Sequence, residues 1–362
     1  MRVLFACAGT GGHLLPAIVL ARGLREREKD MEVLFCLSDD RRGANILDRE
    51  GFPWETISVR PFPRSVTLES VAFPLSLLRG LRHGMALLRR FGPQVVVGTG
   101  GYVSGPVLFA AWMTGIPFII QEQNDSPGLA NRVLAPLADE IHVAFPDAVH
   151  FPGVKRRKVF LTGNPVAGGT NGGSSPPSVR RDRPGEPPVL LVMGGSQGAH
   201  PINRIAVRLL HSFDPLRFRV FFQTGERDYA WVLSSFEGLT PKPHVRPFFD
   251  DMPSIYRDVD LAICRAGAMT LSEIALWGIP SILIPYPHAA GGHQERNARH
   301  YERAGAAIVI REEGADWRLL KDRVESVLDK KGIWNEMSRA ALSLRRPEAK
   351  DILVDRILAL GR

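Results

Sequence analysis

Short glycine-rich stretches hold most of the residues that could do chemistry. In AGTGGHLLP, residues 8–16, Gly9, Gly11 and Gly12 lack side chains and His13 follows them directly. Glycines between a strand and a helix let a ligand approach the backbone and present N–H groups at the positive end of the helix dipole, a setting suited to phosphate or pyrophosphate. The same glycines would serve a plain tight connection, and no GxGxxG or Walker pattern is met. An imidazole in the first helical turn has its cationic form disfavoured by the dipole, and a neutral imidazole can accept a proton as a general base must. A histidine bonded only to its own loop would fit the same spacing.

Glu273 has two readings of its own. Thr270-Leu271-Ser272-Glu273 fits a capping box, with the carboxylate on the Thr270 amide. A carboxylate so placed can also accept from both hydroxyls of a ribose. Asp258 and Asp260 have the DxD spacing of metal-dependent sugar-nucleotide enzymes, yet they precede the apolar run LAIC and so lead a strand, away from its carboxyl end. They read as a surface pair rather than a metal site.

A repeat positions these turns. An apolar β-branched run, a glycine turn and a helical pattern occur four times: VLFACA–GTGGH–LLPAIVLARGL, PQVVVGT–GGYVSG–PVLFAAWM, PVLLVM–GGSQGA–HPINRIAVRLL and DLAICR–AGAMT–LSEIALWG. Plainer strand candidates lie between them at 32–37, 117–121, 219–223 and 280–285. Short buried strands alternating with helices imply parallel βαβ units with right-handed crossovers. Residues 168–188, GGTNGGSSPPSVRRDRPGEPP, have the composition of a linker. The expected architecture is two doubly wound α/β domains facing each other across a cleft, over 1–163 and 164–344, with a helix in 345–362 packing back on the first. In such sheets ligands bind outside the carboxyl ends of the strands, where all four glycine turns fall.

The 362 residues, 44% of them hydrophobic, suffice for two cores of ordinary size. Cys7, Cys36 and Cys264 are far apart, sit in or beside apolar runs and form no metal-ligand spacing, so they read as reduced core thiols. The N-terminal apolar run is too short for a signal peptide, and no run approaches the ~18 residues of a membrane span. The chain therefore reads as soluble and cytoplasmic, or as lying on a membrane surface. A net charge of +8 asks for an acidic partner. Nucleic acid would answer it, but no zinc-finger, helix-turn-helix or RNP-type pattern accompanies the charge. Anionic lipid or a phosphorylated substrate answers it as well. Residues 65–90, SVTLESVAFPLSLLRGLRHGMALLRR, mix large apolar side chains with Arg79, Arg82, Arg89 and Arg90. Such a helix can pack on the core, or it can rest on an anionic bilayer.

Taken together, GTGGH, GGYVSGP, EQN, GNPV, GGSQGA, FDDM, CRAGAMTLSE and HQERNA resemble, in order and spacing, the bacterial UDP-N-acetylglucosamine transferases of peptidoglycan synthesis. The resemblance runs from about residue 2 to about residue 310. It implies the GT-B fold, an inverting transfer of GlcNAc from UDP-GlcNAc to undecaprenyl-pyrophosphoryl-MurNAc-pentapeptide (lipid I to lipid II), and a peripheral place on the cytoplasmic face of the inner membrane. It implies no tightly bound metal, leaves open whether a divalent cation stimulates, leaves room for other cell-wall or division proteins as partners, and gives nucleic acid no part.

Position by position, the resemblance implies that Ser196 and the turn Ala268-Met269-Thr270 hold the donor diphosphate, with Leu271 and Ser272 also in the UDP-GlcNAc site. Glu273 matches the ribose ligand, which displaces the capping reading. Phe249 borders the uracil with its backbone, and Gln294 reads the GlcNAc hydroxyls. Thr10, Gly11, Gly12 and Asn124 close on the donor sugar, while Gly100, Gly101 and Tyr102 receive the acceptor pyrophosphate. His13 becomes the base for the MurNAc 4-hydroxyl, and the apolar side chains of Phe73, Leu77, Leu78 and Leu81, with Trp112 alongside, become candidates for bilayer contact. The family usually has glycine where Ala8 stands and often arginine where Ala167 stands. Alternatives are another GT-B enzyme (a glycolipid synthase or a UDP-GlcNAc 2-epimerase, which lacks the GGYVSGP and EQN set), a silent sugar-nucleotide sensor, and a basic nucleic-acid binder.

Overall fold

The structure, a computed structural model, describes residues 1–9, 11–38, 41–59, 68–151, 153–167 and 185–362. The chain divides into two compact units, Met1–Val166 with Glu348–Arg362, and Ala167–Pro347.

The first unit runs β1 (Arg2–Cys7), α1 (Gly11–Arg27), β2 (Glu32–Leu37), α2 (Arg41–Glu50), β3 (Trp54–Thr56), α3 (Leu68–Phe91), β4 (Val95–Gly100), α4 (Ser104–Met113), β5 (Phe118–Glu122), α5 (Leu129–Leu134), β6 (Glu140–Val143) and β7 (Val159–Leu161). Its sheet is parallel throughout, in the order β3-β2-β1-β4-β5-β6-β7. Strands covered on both faces read as unbroken apolar runs, and β1 is buried from Val3 to Cys7. The order reverses between β1 and β4, which makes the gap beyond their ends a topological switch point.

The second unit runs β8 (Val189–Met193), α6 (His200–His211), β9 (Arg219–Gln223), α7 (Tyr229–Ser235), β10 (His244–Arg246), α8 (Met252–Tyr256), β11 (Leu261–Cys264), α9 (Ala268–Leu276), β12 (Ser281–Leu283), α10 (His293–Arg303), β13 (Ala307–Val309), α11 (Trp317–Leu328) and α12 (Lys331–Ser343). Its parallel sheet has the order β10-β9-β8-β11-β12-β13, so its switch point lies between β8 and β11. The four glycine turns picked out by sequence are the four that follow β1, β4, β8 and β11. They flank the two switch points.

The last helix, α13 (Ala349–Leu360), belongs to the first unit. Leu353, Val354 and Ile357 enter the core formed by β1, β2 and α1. Gly23 permits this, because a Cβ there would lie 2.8 Å from Cγ2 of Val354. Arg356 Nε donates to buried Glu140 Oε2 at 2.9 Å, tying α13 to β6. Burial alone would raise the Glu140 carboxyl. Hydrogen bonds from His142 and Arg356 outweigh it and bring the pKa down to about 2.

One expectation fails here. Asp260 is not a surface residue: it is buried and accepts from Val189 N at 2.8 Å, joining the start of β11 to β8, while its carbonyl accepts from Trp334 Nε1 at 2.7 Å. Asp258 beside it pairs with Arg219. The first two residues of a parallel strand leave backbone donors on the neighbouring strand, and a short carboxylate satisfies one of them. Of the linker segment, residues 168–184 lie outside the described residues. Cys7, Cys36 and Cys264 are buried and free, and burial pushes the Cys7 and Cys264 thiols up to about 12.

Replacing fully buried Leu353 by alanine should cost the first unit about 2–5 kcal/mol. Amide hydrogen exchange checks it: β1 and β4 should lose protection while β8 and β11 keep theirs.

Candidate functional site

In the first unit the site is built around His13. The imidazole sits in the first turn of α1, half-buried, with Nδ1 2.9 Å from the Thr99 carbonyl and 2.9 Å from Gln123 Oε1. The orientation of that amide is fixed from behind, since Gln123 Nε2 donates to Thr99 O at 2.7 Å, to Gln121 O at 3.0 Å and to Gln121 Oε1. Both neighbours of Nδ1 are therefore acceptors. Nδ1 must carry the hydrogen, and in the neutral ring the lone pair is on Nε2. Gln121 Nε2 in turn donates to Asn164 Oδ1 at 3.0 Å, and Asn164 Nδ2 to Gln123 O at 3.2 Å. The EQN and GNPV stretches thus join in one buried network behind the histidine.

Two glycines make room for it. A Cβ on Gly100, where φ is +103°, would lie 2.8 Å from His13 Nδ1, and one on Gly101 (φ +88°) would lie 2.4 Å from the Ala8 Cβ. Tyr102 is exposed beyond them. Gly11 opens α1, Gly12 is exposed with open space around it, and Thr10 lies outside the described residues. Glu122 is buried and accepts from Asn124 N (2.9 Å), Gly128 N (3.0 Å) and Asn131 Nδ2 (2.8 Å), so it shapes the loop that carries Asn124.

In the second unit the glycine turn after β8 presents Ser196 at the surface, just before α6. Gly194 and Gly198 are required by packing, because Cβ atoms there would meet Ala199 N at 2.2 Å and Thr224 O at 2.0 Å. Buried Gln223, the last residue of β9, donates to Gly195 O at 3.2 Å and accepts from Phe249 N at 3.1 Å. It spaces the GGSQGA turn from the FDDM loop. The first main-chain bond of α9 is Leu271 N to Gly267 O at 2.9 Å, so helix geometry leaves the Met269 and Thr270 amides, next to that of Ala268, at the open end of the dipole.

Glu273 on α9 is half-buried and accepts from the hydroxyl of Tyr256 at 2.8 Å. Burial pushes its carboxyl up to about 7, against the pull of that hydrogen bond in the other direction. Gln294, in the first turn of α10, accepts from Tyr286 N at 2.9 Å through Oε1. Asn297 Nδ2 donates to Ala266 O at 3.2 Å and holds α10 to the turn before α9. Among the described residues no group of three or more His, Cys, Asp or Glu is placed to hold a metal.

Two family models cover most of the chain. Residues 3–143 match the glycosyltransferase family 28 N-terminal domain and residues 189–353 its C-terminal domain. A UDP-N-acetylglucosamine–N-acetylmuramyl-(pentapeptide) pyrophosphoryl-undecaprenol N-acetylglucosamine transferase of Caldanaerobacter subterraneus subsp. tengcongensis is 39% identical over 360 residues, 96% of this chain and 97% of that one. One from Coxiella burnetii is 41% identical over 360 residues, 99% and 97% of the two chains. The chain belongs to this family. The crystal structure of Acinetobacter baumannii MurG covers 99% of both chains with a TM-score of 0.77 at 26% identity. A UDP-GlcNAc 2-epimerase from Neisseria meningitidis reaches 0.67 over 99% of this chain at 12% identity, which speaks for the GT-B fold alone.

For this family member one sequence expectation needs correction. The capping box is absent, since α9 begins at Ala268 with Gly267 as its cap, and the Glu273 carboxylate goes to Tyr256 instead of the Thr270 amide. In the same turn Leu271 has its side chain buried, its N–H on Gly267 and its carbonyl accepting from Tyr301 at 2.9 Å. Ser272 also turns its hydroxyl inward, to the Ala268 carbonyl at 3.0 Å. Sequence reasoning passed over Gln121, Gln123, Asn164, Gln223 and Tyr256 as site residues. The available signal was polar residues closing apolar strands (FIIQEQ, RVFFQ), at the strand ends where ligands bind.

The tautomer follows from two acceptors on one nitrogen and is directly measurable. Long-range proton–nitrogen spectra of imidazole-labelled protein above pH 8 should show His13 with its hydrogen on Nδ1. A predominantly Nε2–H form would refute the assignment.

Proposed function

We propose that this chain transfers N-acetylglucosamine from UDP-GlcNAc to the MurNAc 4-hydroxyl of undecaprenyl-pyrophosphoryl-MurNAc-pentapeptide, the step from lipid I to lipid II in peptidoglycan synthesis. The reading rests on identity of 36–41% to curated transferases of that name over nearly the full chain. The local geometry is compatible with the chemistry required.

In the reaction His13 Nε2 removes the proton of the 4-hydroxyl as its oxygen attacks the anomeric carbon from the face opposite UDP. The C1–O bond to the β-phosphate breaks and UDP leaves with the electron pair, so the configuration inverts. Charge developing on the diphosphate is met by Ser196 and by the amides of Ala268, Met269 and Thr270 at the α9 N-terminus. Glu273 accepts from the ribose hydroxyls. The Phe249 N–H is committed to Gln223, so its carbonyl is the group to accept from uracil N3–H. Gln294 donates to a GlcNAc hydroxyl. From the first unit Thr10, Gly11, Gly12 and Asn124 serve the donor sugar, and Gly100, Gly101 and Tyr102 the acceptor pyrophosphate.

His13→Ala should lower turnover by about 10²–10⁴-fold with UDP affinity within twofold of wild type. The assay is UDP release with a short-chain lipid I analogue. Near-normal turnover would remove the base assignment.

The same reading gives the protein a peripheral place on the cytoplasmic face of the membrane, where its lipid acceptor resides. No helix among the described residues is long and apolar enough to cross a membrane. On α3, Leu75, Leu77 and Leu78 are exposed with Arg79 and Arg82, and Phe73 and Leu81 are partly exposed. Gly80 and Gly84 bring α3 close to Pro106 of α4, whose Trp112 and Met113 are also exposed. This apolar surface bordered by arginines suits an anionic bilayer. In flotation with vesicles, the double variant Leu77→Ser/Leu78→Ser should bind anionic vesicles roughly tenfold less tightly. Equal binding to neutral and anionic vesicles, unchanged in the variant, would sink the membrane reading.

A further inference from the structure

Tyr256 ends the five-residue helix α8, which follows directly on the FDDM loop. Asp251 starts that helix by accepting from Ser254 N at 3.3 Å, and Gln223 holds Phe249 just before it. The tyrosine ring is almost wholly buried, at 1% exposure, and its hydroxyl donates to Glu273 Oε2 at 2.8 Å. Glu273 Oε1 accepts from nothing among the described residues. A single buried phenol thus connects the loop assigned to the uracil with the carboxylate assigned to the ribose.

We propose that Tyr256 is the positioning residue of Glu273 and makes the donor site selective for ribonucleotides, by engaging one carboxylate oxygen and leaving the other to the ribose diol. The proposal rests on the reading of Glu273 as the ribose ligand. A glutamate with both oxygens loose can turn to suit one hydroxyl donor or two. One whose Oε2 is pinned presents Oε1 in one direction, and a 2′-deoxyribose then leaves an acceptor unsatisfied in a half-buried place.

The hydrogen bond also acts on the charge of the carboxyl, because it opposes the upward push of burial. The other titratable groups around it do little to that balance. Cys264 on β11 and Tyr301 on α10 are both raised by burial and stay neutral, and Glu336 and Arg339 on α12 are exposed. A carboxyl that titrates at about 7 is ionised above that pH and protonated below it. Only the ionised form offers full acceptor capacity to the diol, so UDP affinity should climb as pH rises through 7 and then level off. Losing the Tyr256 hydroxyl removes a downward influence and moves that climb to higher pH.

The test is calorimetric titration of wild type, Tyr256→Phe and Glu273→Gln with UDP and with 2′-deoxy-UDP between pH 5.5 and 9. Wild type should prefer UDP by about tenfold at pH 8.5, and Glu273→Gln should lose both the preference and the pH dependence of the UDP to 2′-deoxy-UDP affinity ratio. Tyr256→Phe should keep a preference of about threefold or less, with its climb displaced upward by about one pH unit. In turnover its donor KM should rise while kcat at saturating donor holds. A merely structural tyrosine would alter the melting temperature and leave ratio and pH profile superimposable on wild type, which would overturn the proposal while the ribose reading stands. If Glu273→Gln itself retains the preference, the ribose reading fails and takes the proposal with it. Wild-type protein labelled with ¹³C at tyrosine Cζ serves if the phenylalanine variant does not fold. The Tyr256 resonance should step at the carboxyl's midpoint and lose the step when UDP saturates; a resonance with no step overturns the proposal.

Discussion

The bond between His13 Nδ1 and the Thr99 carbonyl requires that residue 100 carry no Cβ, and much of the first unit is arranged around that requirement. Gly100 sits at φ +103°, where a side chain is strained in any case, and a Cβ there would press on the imidazole at 2.8 Å. Its carbonyl meanwhile accepts from Ala8 N at 3.1 Å, locking the ends of β1 and β4 together. Next along, Gly101 has to pass the Ala8 Cβ. Further back, Gly98 leaves room for Leu108, so that α4 can lie against β4. Three glycines in one strand and its turn weaken the strand intrinsically. The gap they leave at the switch point is filled by the His13 ring.

The support behind that ring is polar and buried, an arrangement that destabilises a protein unless every group finds a partner. Gln121, Gln123 and Asn164 meet the condition by bonding in sequence, amide to amide, from β5 across to the GNPV segment. Glu122, between the two glutamines, points to the other side of the strand as its alternation demands, and meets the amides of the Asn124 loop and Asn131. One short strand end therefore does two jobs on opposite faces. It fixes the orientation of the His13 imidazole on one face and the shape of the Asn124 loop on the other.

The strands, the glycine turns and the parallel topology were legible in the sequence because each leaves a local mark: an apolar run, missing side chains, or a helical period. His13 and Glu273 were legible as residues, and their partners were not. Tyr256 lies 17 positions from Glu273 and Gln123 lies 110 from His13, so no spacing rule connects them. The capping-box reading of Thr270 failed because a local pattern competes with tertiary partners, and a buried phenol outcompeted a main-chain amide for the same carboxylate. Asp260 was misread for a related reason. Its spacing to Asp258 suggested exposure, while its register beside Val189 put it under the sheet edge where a donor needed an acceptor. Leu271 lies in the same stretch as Thr270 and Glu273, and the helical period turns its side chain into the core.

The charge balance at the second unit's turns follows from what the cations there are already doing. The family often has arginine at the place of exposed Ala167. Arg265, in the turn just before α9, is buried and donates to the carbonyls of Ile284 and Pro285 at 3.0 and 3.1 Å while pairing with Glu312. Its guanidinium lies 5.4 Å from the Tyr286 ring, so it holds the loop that leads to Gln294. His200, at the start of α6, is bonded through Nδ1 to buried Asp228 at 3.0 Å. On the reading proposed above, the amides at the α9 N-terminus and the Ser196 hydroxyl meet the diphosphate. Such groups stabilise a leaving diphosphate through fixed dipoles, which need no reorganisation as the charge develops. They also hold the departed UDP less firmly than a bidentate guanidinium would.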